Sequence, residues 1–210
     1  NTVARSLLVS AVVLSATLAT GPLALGATAA PPDLAVEVRT MSYAPNDITI
    51  PRGTTVVWQN VTSPNRVHDV VSSIPSLFFS AHFGTGQQFS YRFAAAGTFT
   101  YICSIHDVMI GAVHVPLTSR TMQTEAGPML RVRLATEALP ADSHYRYVVL
   151  RRDPGQSEFA IWRFTRQKAL DFLPPAPGTY EFVMRVKNVD ADWVTGAAGD
   201  SPILSVAWPG

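Results

Sequence analysis

The segment Cys103-Ser104-Ile105-His106-Asp107-Val108-Met109 holds the only cysteine of this 210-residue chain. Its cysteine, histidine and methionine follow one another at steps of three residues and offer a thiolate, an imidazole and a thioether. Soft sulfur donors favour Cu(I), and imidazole serves both oxidation states of copper, so this donor set suits copper. We therefore predict that Cys103, His106 and Met109 bind one copper ion.

The flanking sequence predicts a strand on each side of this segment. Gly97–Cys103 is an apolar strand candidate that ends at the cysteine, and Gly111–Pro116 resumes the sheet beyond a loop that carries His106 and Met109. A trigonal copper site needs a second imidazole from elsewhere in the fold. His68 is the candidate, because it follows another predicted strand after a polar loop.

Other interpretations of these residues stay open at this point. A lone cysteine is more often an unreactive buried thiol, and one cysteine excludes an internal disulfide. We expect the remaining histidines to be surface or structural residues. His82 has no partner at ligand spacing, His114 alternates with two valines, and His144 lies in the second half of the chain.

Residues 1–30 are predicted to be a secretory signal peptide. A basic start at Arg5 precedes an apolar run over residues 6–19 and the small-residue stretch Ala27-Thr28-Ala29-Ala30. The alternative, a membrane anchor, is disfavoured because the run is shorter than the ~20 residues of a spanning helix. We expect an exported protein, whether periplasmic, cell-surface or extracellular, with no membrane span after signal removal.

The charge balance limits the partners. One of the 16 basic residues, Arg5, lies in the predicted signal peptide, which leaves 15 basic and 15 acidic residues. A neutral mature chain argues against nucleic acid or anionic lipid as the main partner.

Short alternating segments separated by Gly, Pro and Asn turns predict an all-β fold. We expect two tandem β-sandwiches after the signal peptide, over residues 31–117 and 128–210, joined by a linker at 118–127. The strand candidates are Leu34–Arg39, Asp47–Ile50, Thr54–Gln59, Phe89–Phe93, Gly97–Cys103, Gly111–Pro116, Met129–Ala135, Tyr145–Arg151, Phe159–Phe164, Gly178–Val186 and Ile203–Trp208.

The first half resembles a known family. Val57-Trp58-Gln59-Asn60 leads to His68, and Gly97-Thr-Phe-Thr-Tyr-Ile-Cys103 continues through the ligand segment to Gly111-Ala-Val113. Together these segments resemble the cupredoxins, the plastocyanin, pseudoazurin and amicyanin family of small blue-copper proteins. The short Cys-x2-His-x2-Met spacing is similar to that of amicyanin-like members. The resemblance implies a Greek-key sandwich.

The resemblance also implies one type-1 copper with the ligands His68, Cys103, His106 and Met109. The residue after the first histidine is commonly Asn in this family but is Asp69 here. We expect Asp69 to accept a hydrogen bond from the backbone or hydroxyl of Ser104 and so to orient the ligands.

In this family, the outer edge of the second histidine lies in an apolar patch through which electrons leave. An equivalent patch here would draw on Ile105, Val108, Ile110, Pro75 and Phe78, although Phe78 also suits the core.

The second half resembles an immunoglobulin or fibronectin type III-like module. Leu173–Asn188 and the closing segment Ile203–Val206 carry that resemblance. No acid–base pair, nucleophile or phosphate-binding glycine loop emerges there, so we expect a spacer or a module that docks to a protein or surface.

These observations favour a type-1 copper carrier that transfers single electrons between redox proteins and is not an enzyme. The alternatives are a copper-binding or storage protein without electron shuttling, a structural or adhesive surface protein, and a fragment of a multicopper oxidase or nitrite reductase. The fragment is disfavoured because the sequence lacks the His-x-His motifs of further copper centres.

Overall fold

The computed structural model describes residues 33–64, 66–191 and 197–209, and within these ranges the chain is all-β apart from a 3-10 turn at Ala197–Gly199. The predicted signal peptide, residues 1–30, lies outside the described residues. In the described ranges we find no helix whose length and apolar character would let it cross a bilayer.

The first half is a sandwich of two four-stranded sheets, with the strand orders β2-β1-β4-β6 and β3-β8-β7-β5. Most of its strands pair antiparallel, but β1 runs parallel to β4 and β3 parallel to β8. The strands are β1 (Leu34–Arg39), β2 (Ser42–Ala44), β3 (Asp47–Thr49), β4 (Thr55–Asn60), β5 (Val71–Ser72), β6 (Gln88–Arg92), β7 (Gly97–Cys103) and β8 (His106–Val115).

Alternating side chains create the core of this sandwich. In β7 every second residue from Gly97 to Cys103 is buried, as expected of a strand with one face against a core. Trp58 of β4 is fully buried and lies at the centre of an aromatic cluster. Its ring neighbours are Phe78, Phe89, Phe93 and Tyr101. Each large apolar side chain buried in this way stabilises the fold by about 1.5–3 kcal/mol.

The second half is also a sandwich, with a three-stranded sheet of order β13-β10-β9 and a four-stranded sheet of order β12-β11-β14-β15. All its strand pairs are antiparallel. The strands are β9 (Thr118–Thr124), β10 (Gly127–Arg133), β11 (Tyr145–Arg152), β12 (Ala160–Thr165), β13 (Ala169–Phe172), β14 (Gly178–Asn188) and β15 (Leu204–Trp208). The predicted all-β fold with two sandwiches is confirmed.

The segment expected to be a linker, residues 118–127, is largely a β-strand. Its first seven residues form β9, which pairs with β10 from Thr118 opposite Arg133 to Thr124 opposite Gly127. The strand lies at the sheet edge and exposes most of its side chains, so it lacks the apolar alternation that marks a buried strand.

The two halves pack directly on each other. The amide of Ala96 donates to the carbonyl of Leu134, and that of Thr136 donates to the carbonyl of Ala94, both at 2.8 Å. The Thr98 hydroxyl donates to the carbonyl of Asp200 at 2.6 Å. One continuous group of buried apolar side chains runs through both sandwiches.

Candidate metal centre

A buried asparagine positions the first histidine. Asn60 ends β4, and its Nδ2 donates to the carbonyls of Arg66 at 2.9 Å and Phe83 at 3.0 Å. Its Oδ1 accepts from the backbone N–H of Thr62 at 3.0 Å. His68 then pairs with Phe83 through two backbone hydrogen bonds of 3.1 and 2.8 Å. Sequence reasoning missed this role of Asn60, which the sequence shows only as the second of the two polar residues that end β4.

The β7–β8 hairpin carries the other candidate ligands. Cys103 ends β7 and pairs with His106, the first residue of β8, so the turn between them consists of Ser104 and Ile105 alone. The expected loop from His106 to Met109 is therefore a strand. After His106 the register shifts, so that residues 107–109 have no partner on β7, and pairing resumes with Ile110 opposite Ile102. Val108 in this irregular stretch is exposed, and Met109 is buried.

Three of the four predicted ligand side chains converge on one point. The Cys103 Sγ lies 3.9 Å from Nδ1 of His68 and 3.4 Å from Nδ1 of His106. The donor atoms of all three residues lie within 4.8 Å of one another, close enough to bind a single ion. His68 and Cys103 are buried, and His106 is half-buried.

Met109 is fully buried, three residues beyond His106 on β8. Its neighbours Val108 and Ile110 are exposed, so strand alternation turns Met109 towards the interior. Tyr101 and Cys103, also buried, face the same interior from β7. The thioether is therefore on the side of the sheet where the two imidazoles meet the thiol.

Burial sets the protonation of these groups. The pKa of His68 is lowered, first by burial and then by the neighbouring His106, which favours the neutral imidazole that metals bind. Burial is also the main reason that the pKa of the Cys103 thiol is raised. The metal-free thiol therefore keeps its proton, and metal binding must release it.

Asp69 ties the two ligand segments together. Its Oδ1 accepts the backbone N–H of Ser104 at 2.7 Å, and its Oδ2 accepts the Ser104 hydroxyl. The predicted contact between Asp69 and Ser104 is thus present. The carbonyl of Asp69 also accepts the hydroxyl of Tyr43 at 2.6 Å. Sequence reasoning did not foresee that His82, with Nε2 3.7 Å from Asp69 Oδ2, is its exposed neighbour.

The other two histidines have no cysteine nearby. Nδ1 of His114 lies 2.9 Å from the Thr98 hydroxyl and Nε2 lies 3.1 Å from an oxygen of Asp47. His144 is exposed and pairs with Asp190. Both therefore have structural or surface roles, as the sequence predicts.

The predicted apolar patch is present in part. Ile105, Val108 and Ile110 are 40%, 67% and 56% exposed around the hairpin end. Phe78 is buried in the aromatic core, and the carbonyl of Pro75 accepts hydrogen bonds from the second half. We define the exit patch as Ile105, Val108 and Ile110.

Comparisons with known proteins agree with this site. Residues 32–116 match the family model of copper binding proteins, plastocyanin/azurin family. No curated protein matches the chain. The family match and the His-Cys-His group together identify a cupredoxin domain in the first half of the chain.

Solved structures similar to the chain include a cupredoxin, an amicyanin and a nitrite reductase. A purple cupredoxin from Nitrosopumilus maritimus is 29% identical, with 39% of this chain and 98% of that one covered and a TM-score of 0.36. An oxidized amicyanin variant is 27% identical, with coverages of 39% and 80% and a TM-score of 0.36. A copper-containing nitrite reductase from Thermus scotoductus is 32% identical, with coverages of 45% and 25% and a TM-score of 0.37.

The donor set fits the metal that the family description implies. One thiolate and two imidazoles, with a buried thioether on the same side of the sheet, are the ligands that copper prefers in a trigonal site with a weak axial donor. Copper is therefore the cofactor of this domain.

Proposed function

We propose that this protein is a type-1 blue-copper electron carrier, with His68, Cys103 and His106 as the trigonal ligands and Met109 as the axial ligand. The observation that carries the proposal is the approach of two imidazole Nδ1 atoms to the Cys103 Sγ, at 3.9 and 3.4 Å. Copper bound there would supply one-electron chemistry by cycling between Cu(II) and Cu(I).

The protein holds these side chains in place from both sides. Asn60 fixes the segment before His68, and Asp69 links His68 to the turn between Cys103 and His106. Such bonds to the residues around a metal site restrict ligand movement. A site that keeps its shape in both oxidation states favours fast electron transfer, which suits a carrier.

His106 is the proposed exit for the electron. It is the one half-buried member of the His-Cys-His group, whereas His68 is 0% and Cys103 1% exposed. The exit patch lies on the same β7–β8 hairpin, and such small exposed apolar patches suit brief docking of a redox protein. Under this proposal, the protein passes electrons between two extracytoplasmic redox partners and turns over no substrate of its own.

We further propose that the second half is a fibronectin type III or immunoglobulin-like module. Seven antiparallel strands in sheets of three and four support this assignment. A second support is Tyr180 near the start of β14, whose hydroxyl donates to the carbonyl of Ala176 at 2.9 Å, the hydrogen bond of a tyrosine corner. Such a module would serve as a spacer or a docking unit. The export predicted from residues 1–30 would place both halves of the protein outside the cytoplasm.

An absorption spectrum tests the copper proposal. Purified protein loaded with Cu(II) should absorb intensely near ~600 nm, the charge-transfer band of a copper–thiolate bond. Cys103→Ser should abolish this band, whereas Ser73→Ala, an exposed position outside the ligand segments, should keep it. A colourless wild type, or a band that survives Cys103→Ser, contradicts the proposal.

A redox titration separates a carrier from a storage protein. A carrier should be reduced and reoxidised reversibly at a midpoint potential within the range of biological electron donors and acceptors. A coloured protein that cannot be cycled in this range would favour copper storage instead.

A further inference from the structure

The outer face of the three-stranded sheet in the second half concentrates positive charge. Arg131 of β10 lies directly opposite Arg120 of β9, and Arg133 follows two residues along on the same face. The inward residues of β10, Leu130 and Val132, are buried in the core. A concavity of about 150 Å³ opens on the outer face, and its lining residues are Arg120, Arg131, Arg133, Lys168 and Ala169.

This basic concavity has little compensating negative charge. Asp171 forms two contacts of 2.6 Å with Arg131, and this interaction holds the pKa of the Asp171 carboxyl below its usual value. Among the described residues, no ion pair within 4 Å joins a carboxylate to Arg120, Arg133 or Lys168. Like charges placed directly opposite each other on neighbouring strands destabilise a sheet, so the fold alone gives no reason for this arrangement.

A fifth positively charged side chain, that of Arg52, lies next to the concavity. Arg52 of the first half donates to the carbonyl of Arg133 at 3.0 Å and to the hydroxyl of Thr118 at 2.9 Å. Burial first, and then the charge of Arg133, lower the pKa of Arg52.

Other arginines of the second half contrast with this cluster. Arg151 pairs with Asp153, Arg152 with Glu181 and Arg185 with Asp200, at 2.5 to 2.6 Å. The chain therefore supplies carboxylates to these three arginines of the module, although not to Arg146, Arg163 or Arg166 among the described residues, and it leaves the lining of the concavity in positive excess.

We propose that this concavity binds a tetrahedral oxyanion group, phosphate or sulfate, through Arg120, Arg133 and Lys168. Guanidinium groups donate paired N–H groups that match the spacing of phosphate or sulfate oxygens, and lysine adds a compact charge. Arg131, already oriented by Asp171, forms one wall. A volume of about 150 Å³ suits one oxyanion group with accompanying water rather than a large ligand. The proposal is independent of the copper site.

Binding of inorganic phosphate tests the proposal directly. Isothermal titration of the whole copper-loaded protein with phosphate, at constant ionic strength set by chloride, should show saturable binding to one site. The double variant Arg120→Gln/Arg133→Gln should bind at least roughly tenfold more weakly, because a hydrogen bond to a charged group contributes about an order of magnitude in affinity. The matched control Arg39→Gln/Arg163→Gln removes two exposed arginines elsewhere and should bind like the wild type.

Co-sedimentation with vesicles distinguishes the source of the phosphate. Phosphatidylglycerol vesicles that retain the wild type and the control, but not the double variant, would indicate a lipid headgroup, and binding of inorganic phosphate alone would indicate a free ion. Both results support the oxyanion site. Thermal melts confirm that the variants fold. Lys168→Gln changes the lining residue directly before β13 and provides a second variant, which should also bind phosphate more weakly than the wild type. Equal binding by the double variant and the control, or no binding to either probe by the wild type, overturns the proposal.

Discussion

The two sandwiches bury different kinds of side chain. Among the described residues, six polar or charged side chains are buried in the first half and two in the second. The six are Thr54, Asn60, Thr62, His68, Asp69 and Ser72, and the two are Asn188 and Ser201. The second half instead has four arginine–carboxylate pairs among its described residues, each at least partly exposed.

This difference shows that buried polar side chains have a particular role in the first half. Burying a polar side chain costs free energy unless the group is hydrogen-bonded, so the first half must position these side chains accurately. Three of its six, Asn60, His68 and Asp69, belong to the candidate copper site or hold its segments together. Changes in the first half should therefore affect folding and copper together, whereas changes in the second should leave the copper spectrum intact.

The largest effect is expected at Asn60. Asn60→Ala removes the side-chain amide that donates hydrogen bonds to the carbonyls of Arg66 and Phe83. We expect a loss of about 2–4 kcal/mol in the free energy of unfolding, together with weaker copper binding. Urea denaturation and copper titration measure the two effects. Gln59→Ala, exposed on the same strand, is the control, and equal stability of the two variants would contradict this role of Asn60.

Gly111 should be next in magnitude. A Cβ at this position would lie 2.3 Å from Cζ of Tyr101, which is fully buried and packs edge-on against Trp58. Gly111→Ala should cost about 1–3 kcal/mol, the usual range for overpacking a core. Thermal denaturation would measure this cost. In the control Gly84→Ala, the new Cβ meets only Gln87 Oε1, at 3.6 Å. If Gly111→Ala melts no lower than that control, the ring of Tyr101 has room to move.

Asp69→Asn should change the potential more than the stability. The amide oxygen can still accept the Ser104 N–H, but the variant loses a buried negative charge that stabilises Cu(II) over Cu(I). We expect the midpoint potential to rise by on the order of 50–100 mV. A shift of this size corresponds to the Coulomb interaction between the copper and one charge several ångströms away, at an effective dielectric constant of about 20 or more. Voltammetry measures it. Asp107→Asn, an exposed carboxylate in the ligand segment, should shift the potential less, and an unchanged potential in Asp69→Asn would reject the role of Asp69.

The smallest effect is expected in the second half. Arg185 forms contacts of 2.6 and 2.8 Å with the two carboxylate oxygens of Asp200, in a partly buried pair. Arg185→Gln should lower the free energy of unfolding by about 1 kcal/mol or slightly more. This value lies between those typical of exposed ion pairs and of buried hydrogen bonds to charged groups. The band near ~600 nm should be unchanged. A shifted band would show that the two halves are electronically or mechanically coupled.

The sequence predicted most of the longer strands and missed the short ones and one polar edge strand. β1 and β7 match their predicted bounds, and the ends of β4 and β6 differ by one residue. Four strands were missed, namely β2, β5, β9 and β13. β2, β5 and β13 have only two to four residues, too few for a side-chain pattern to stand out, and β9 is a polar edge strand that backbone pairing defines.

At the site, spacing and donor chemistry identified the residues that converge, but two kinds of contact stayed hidden. The hydrogen bonds of Asn60 and the approach of His82 to Asp69 join residues that are far apart in the chain. The packing between the halves was hidden for the same reason. Each half shows its own apolar pattern, and that pattern does not reveal which surfaces meet.

The β7–β8 hairpin has consequences for how this protein can be re-engineered. At its closed end, Cys103 and His106 flank a turn of two residues, and at its open end the hydroxyl of Thr98 bonds to the second half. Five residue steps separate Thr98 from Cys103, about 17 Å in a strand. The turn can therefore be exchanged for one of another length without disturbing the junction between the halves. If the site is the type-1 copper centre proposed above, grafting turns should adjust its colour and potential while the attached module stays in place.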